Sequence, residues 1–299
     1  MALTPLGSVD LPPFRASAFD HGDVHLASGR IFVAHTADGS VEVIDGEGRL
    51  HVRTIAGCPE ASGVVCDQDE SMVFAAARGA GKVLVIDAAS LALLGVLASG
   101  PRPNGLAWDH RRRRLLAADV QDSSARLLDP STGEQVGQVS LPGRPRWCVY
   151  EQERDRFLVN IREPAHVALL SAEPFALTGR WQVSAAGPHG LDLDVETGRA
   201  FVACDAGAVL ALDLATGREL AASPIAGAPD AIWCNARRGL LYVAIGNPGL
   251  VEVLDTTTMT PLGRLSTEAG AHTTAFDRVR QQLAVFLPGT CRAALYRET

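Results

Sequence analysis

The chain has 299 residues, 47% of them hydrophobic and 20% charged, with a formal net charge of −7. That length supports a large core and allows one or two domains. The acidic balance excludes a chain-wide basic field of the kind phosphate-backbone binding needs, and no run approaches the roughly 18 apolar residues of a membrane-spanning helix.

The N-terminus, MALTPLGSVDLPPF, has no basic n-region and no long apolar run. It does not read as a signal peptide, so a cytoplasmic location is expected. Within it, Leu3–Leu11 (LTPLGSVDL) is strand-like. Next comes VEVID (Val41–Asp45), which recurs as VLVID (Val83–Asp87), ARLLD (Ala125–Asp129), VALLS (Val167–Ser171), VLALD (Val209–Asp213), VEVLD (Val251–Asp255) and AALYR (Ala293–Arg297). Each copy ends 42 residues after the one before it. The third unit shows the full content of one period. GLAWD (Gly105–Asp109) leads to RLLAAD (Arg114–Asp119), SARLLD (Ser124–Asp129) and QVGQVSL (Gln135–Leu141), with turn residues between them. The Arg111–Arg114 run falls in a turn and reads as a solvated loop.

Four short strands per unit, repeated seven times, predict an all-β, seven-bladed β-propeller of four-stranded blades. A blade cannot cover both its faces alone, so the blades stack around a channel in one domain over residues 1–299. The last copy stops after its third strand. Leu3–Leu11 resembles the outer strand of the sixth copy, MTPLGRLST (Met259–Thr267), and is expected to complete the last blade and remove an open edge. The six cysteines are scattered without a C-x-x-C pair and read as reduced core thiols.

One position in each unit departs from the repeat. At the loop-to-inner-strand junction the residues are His21 (or Asp20), Ser62 (or Glu60), Asn104, Arg146, His189, Asp230 and His272. The Gly22 that follows favours His21. Glu60 follows Pro59 as Asn104 follows Pro103. In a propeller these positions ring the channel mouth. Strand packing does not require three histidines and acids to converge there, and the set matches the ligands of one divalent metal ion: Zn, Mn, Ni, Fe or, with more oxygen ligands, Ca. His21, Glu60, Asn104, His189, Asp230 and His272 are the candidate ligands, and Arg146 is the candidate holder of a substrate oxygen. The competing expectation is a wet channel whose polar lining has no chemistry.

A second set of positions ends each unit's second strand: His35, Ala77, Asp119, Ile161, Cys204, Ile245 and Leu287. His35 and Asp119 are candidates for orienting a ligand or moving a proton. Ile161, Ile245 and Leu287 are expected to form an apolar wall for an organic substrate. His51, His110 and His166 read as solvent-facing, and Trp108, Trp147 and Trp233 as core.

The pattern P-x-G-L-x-x-D, R-x-F-V-A and V-x-V-I-D-x-x-T-G resembles the YVTN-type seven-bladed propellers, many of which are binding scaffolds without a reaction. The gluconolactonase/regucalcin-like family is similar in plan. That resemblance implies a metal-dependent hydrolase of lactones or organophosphates, with Glu60, Asn104 and Asp230 as its Glu, Asn and Asp ligands; the added His21, His189 and His272 depart from its pattern. Pro188-His189-Gly190 is similar to the loop of the virginiamycin B lyase group, whose W-F-T strands are missing here. The expected function is therefore a metal-dependent hydrolase of a lactone, activated ester or phosphotriester. The alternatives are a non-catalytic scaffold and a lyase. The expected partner is a small molecule, with neither nucleic acid nor membrane, and a monomer fits this expectation.

Overall fold

The computed structural model describes residues 3–12 and 17–298, so the single-domain expectation over 1–299 includes residues 1–2, 13–16 and 299 that lie outside the described residues. The strands form seven four-stranded antiparallel sheets. Six sheets take their strands in simple sequence order, inner to outer; blade 1, for example, runs Phe19–His25, Arg30–His35, Ser40–Asp45 and Leu50–Ala56. The seventh is closed by the chain's beginning. Leu3–Asp10 pairs antiparallel with Arg292–Glu298, outside Gln282–Leu287 and Thr274–Asp277. The seven-bladed propeller and its closure by the N-terminal strand are as the repeat predicts.

Burial follows strand position. The two middle strands of a blade are covered on both faces and read as nearly unbroken apolar runs, such as Arg30–His35 and Ser40–Asp45. The outer strands alternate, as in Gln135–Ser140. Each main apolar cluster lies between two adjacent blades. Phe32, Val41 and Val43 of blade 1 meet Val73, Ala75 and Leu84 of blade 2. Val9 and Leu11 of the N-terminal segment join Phe19 and Phe286 at the seam between blades 7 and 1.

Charges reinforce the seams. The basic run is not a free loop: Arg112 bonds Asp109 and reaches Asp155 on the next blade, Arg113 pairs with Glu70 on the previous one, and Arg114 lies 2.9 Å from Asp129. All six cysteines are free thiols. Burial pushes Cys58 up to about 12.

Val9 and Leu11 are 3% and 5% exposed, and burying each such side chain stabilises by about 2 kcal/mol. Deleting residues 3–11 removes this burial and bares the whole Arg292–Glu298 edge. We expect the truncated chain to lose its cooperative melt and to self-associate. A melting curve and elution volume matching the full chain would show that closure is dispensable.

Candidate functional site

The channel mouth is built by one backbone device used six times. At the head of the inner strand in blades 1 to 6 the pairing to the second strand slips past two residues. The slipped pairs are Asp20-His21, Ser62-Gly63, Asn104-Gly105, Arg146-Trp147, His189-Gly190 and Asp230-Ala231. In blade 7, His272 and Thr273 precede the inner strand, and the Thr273 carbonyl accepts from Phe286 N–H. Such a bulge re-aims a side chain at the end of a strand.

The second residue of the pair presses on the neighbouring blade. A Cβ on Gly63, Gly105 or Gly190 would collide with the carbonyl oxygen of Asn104, Arg146 or Asp230. This settles the two open registers. Asp20, not His21, is the structural counterpart of Asn104, and Ser62, not Glu60, holds the position in blade 2. His21 takes the place that glycine fills elsewhere. It is buried and stacks on Trp147, its ring centroid 3.9 Å from the indole's.

The predicted ligands separate into two groups. His189, Asp230 and His272 converge: His189 Nε2 lies 3.2 Å from Asp230 Oδ1, and His272 Nε2 lies 3.6 Å from Asp230 Oδ2. His21 joins them electrostatically, with its own Nε2 3.3 Å from Asp20 Oδ1. Asn104 and Glu60 are engaged elsewhere. Arg78 donates to Asn104 Oδ1 at 2.8 Å. Glu60 is about half exposed, pairs with Arg102 and lies 3.6 Å from Arg78.

The charges have traceable effects. Burial lowers the His21 pKa, so the ring favours its neutral form. Burial works on His189 in the same direction, but the Asp230 carboxylate and the bond from Nδ1 to Asp205 outweigh it and raise His189. Burial would raise Asp230; His189, His272, His21 and Arg146 together hold it below its ordinary value. Arg146 is pulled down by burial and by Arg144 and Arg162. Its Nε is buried without a hydrogen bond.

His35 and Asp119 do not reach the mouth. His35 is fully buried, with Nδ1 3.1 Å from Glu42 Oε1 and its ring stacked on Phe19. Asp119 accepts from the Arg102 N–H at 2.6 Å and from Arg126 at 2.7 Å. Neither is free to touch a substrate. Ile161 and Ile245 are also fully buried, packed between neighbouring blades instead of walling the mouth, and burial pushes the Cys204 thiol up to about 12. The mouth is reached from one residue further along, because consecutive strand residues face opposite ways. Arg78, Arg162 and Asp205 stand there. Asp205 accepts from His189 Nδ1 at 2.9 Å and from Arg162 Nε at 2.6 Å. The signal for them was the same 42-residue spacing, shifted by one.

Among the described residues, three His, Cys or carboxylate donors come within 4.8 Å of one another only at His35, Asp38 and Glu42. That cluster is saturated: Glu42 is met by His35, Ser40, His51 and Thr54. Blade 3 carries Asp119, Asp122, Ser124 and Arg126 at the matching positions, joined by equivalent bonds. Both read as strand-to-strand fastenings. Other histidines also differ from expectation: His166 is buried with Nδ1 against the Pro164 carbonyl, and His110 lines the channel.

No family model matches the chain, and no curated protein matches it. Solved structures do. Kuenenia stuttgartiensis hydrazine synthase superposes with a TM-score of 0.86 at 11% identity, over 96% of this chain and 97% of that one. U3-55K superposes with a TM-score of 0.86 at 11% identity, over 99% and 100%. At this identity the likeness shows the propeller fold alone.

The bulge geometry is testable without any ligand. Gly105→Ala forces a Cβ into the Arg146 carbonyl, whereas Gly95→Ala on an outer strand meets open space. We expect Gly105→Ala to cost about 2 kcal/mol or more by overpacking and Gly95→Ala to be nearly neutral in denaturant melts. Equal effects would show that the mouth backbone has slack.

Proposed function

We propose that the channel mouth holds one divalent cation between Asp230, His189 and His272 and hydrolyses a small lactone, activated ester or phosphotriester. One observation carries this reading. With His189 Nδ1–H donating to Asp205, its Nε2 points a lone pair at a carboxylate oxygen 3.2 Å away. Asp230 Oδ1 is itself buried without a hydrogen bond. Two electron-rich atoms so placed repel unless a positive charge joins them, and a cation ligated by both removes the penalty. The donor set of two imidazoles and a carboxylate suits Zn or a neighbouring first-row ion. The reading rests on this set, not on the Glu-Asn-Asp set of the gluconolactonase-like resemblance, because Glu60 and Asn104 are paired with arginines.

A bound cation of this kind polarises a carbonyl or phosphoryl oxygen and acidifies a coordinated water. The chain's own residues supply the rest. Asp205 fixes the tautomer and direction of His189. Arg146 has no ion-pair partner among the described residues, and its guanidinium is the group available to hold the oxygen on which charge develops. His21, kept neutral by burial, is the base this cluster offers. The scaffold reading has an observation of its own: Arg78 already joins Asp20 and Asn104 across blades 1 to 3 without any ion. In that case a proton joins His189 and Asp230.

The two readings part on metal content. Chain stripped with EDTA and refilled separately with Zn, Mn, Ni and Ca is expected to take up one equivalent of at least one ion, and with it a higher melting temperature. It should then hydrolyse p-nitrophenyl acetate, γ-butyrolactone or paraoxon. Asp230→Asn should lose metal and turnover together, by about 100-fold. Arg146→Ala should keep the metal and lose about tenfold in kcat/KM. No uptake of any ion, with melting unchanged by EDTA, would overturn the hydrolase reading in favour of the scaffold.

A further inference from the structure

Below the mouth, the inner strands line a cavity of about 500 Å³. Its wall includes Trp108, Trp147 and Trp233, which the sequence pattern assigns to the core. Trp147 meets Trp233 edge-on at 6.2 Å, and the Trp233 indole N–H is anchored on the Thr274 carbonyl at 3.0 Å. The rings are therefore held in place before any ligand arrives.

Two carboxylates share this wall. Asp23 and Asp192 occupy the same position on blades 1 and 5, nearly opposite each other in a seven-membered ring. Each is oriented by two backbone N–H groups. Asp23 accepts from Val24 at 2.7 Å and from Cys66 on the next blade at 2.8 Å; Asp192 accepts from Leu193 at 2.8 Å and from Cys234 on the next blade at 2.6 Å. The Cys66 thiol also leans on Asp23. Neither carboxylate has a cationic partner within ion-pair distance among the described residues. Arg278 is near enough to act on both but pairs with neither. Burial raises both acids, Asp23 to about 6. The cavity thus combines aromatic faces, negative at their centres, with two fixed acidic groups that no cation pairs at close range, Arg278 lining the same wall without bonding either.

We propose that this cavity binds a small organic cation with an aromatic or alkyl body, its ammonium between Asp23 and Asp192 and its body against the three indoles. The volume lies in the range of small-molecule sites. A cation over an indole face gains from the ring quadrupole, and more so when desolvated. The ligand also supplies the close ion pair that neither carboxylate has. This site is independent of the cation at the mouth and does not rest on hydrolysis.

Phenethylamine, 2-phenylethanol and 3-phenylpropionate carry nearly the same body with a positive, neutral and negative end. Each is titrated into the full chain and followed by tryptophan fluorescence and calorimetry. We expect saturable binding of phenethylamine, binding of 2-phenylethanol weaker by about tenfold or more, and none of 3-phenylpropionate. Asp192→Asn keeps an acceptor for the Cys234 N–H and should weaken phenethylamine by about tenfold. Trp233→Leu tests the aromatic wall, and melting curves confirm that both variants fold. EDTA should leave the affinity unchanged, which separates this site from the mouth. Absence of saturable phenethylamine binding, equal affinity for 2-phenylethanol, or wild-type affinity in both variants would overturn the proposal.

Discussion

The two-residue bulge at the head of six of the seven inner strands is the constraint on which the rest of the structure depends. It frees the first residue of the pair from the ladder and turns it to the mouth. It also drives the second against the backbone of the next blade, where glycine fits in blades 2, 3 and 5. The ring is thus closed by backbone contacts that leave the first residue's identity free. A repeat built this way can place aspartate, serine, asparagine, arginine or histidine around one opening without disturbing the blades. Where the second residue is not small, as at His21 and Trp147, its side chain fills the channel instead, and these two stack on each other.

Charge then divides the polar residues into closed and open sets. His35 with Glu42, and Asp119 with Arg126, occupy matching positions in blades 1 and 3 and satisfy each other inside the blade. Glu60 and Asn104 are occupied by arginines at the rim. Two open sets face the channel. At the mouth are Asp230, the imidazoles facing it and Arg146. In the cavity below are Asp23 and Asp192. A buried oxygen without a partner, as at Asp230 Oδ1, and carboxylates held by N–H groups but without an ion pair, as at Asp23 and Asp192, are where a ligand has most to contribute. His21 touches both, lining the cavity while lying within the field of Asp230.

Much of this was legible in the sequence, for physical reasons that also mark where legibility stopped. The 42-residue spacing and the likeness of Leu3–Leu11 to an outer strand reveal blades and closure, because strand alternation and turn residues are local properties. His189, Asp230 and His272 could be placed together because each follows the same loop. His21 could not be placed correctly: Gly22 imitates the glycine of the other units, but it is His21 that stands at the glycine's position. Arg78, Arg162 and Asp205 were missed by one residue, since each strand's last side chain turns into the blade and the residue just after it turns to the mouth. Trp108 is core as read, packed on Phe74, and lines the cavity as well; Trp147 and Trp233 read as core because a channel wall and a blade core carry the same apolar residues. Whether a carboxylate is already paired depends on contacts between strands and blades, as Glu42 and Asp119 show, and no spacing encodes that.

The account stands most directly on what lies between His189 Nε2 and Asp230. Crystals grown with zinc and measured at its absorption edge locate any bound ion by its anomalous scattering alone. The account predicts one principal peak at about 2.0–2.2 Å from His189 Nε2 and from an Asp230 oxygen, with His272 drawn toward it. A principal peak at His35, Asp38 and Glu42 instead, or none in the channel, would contradict it.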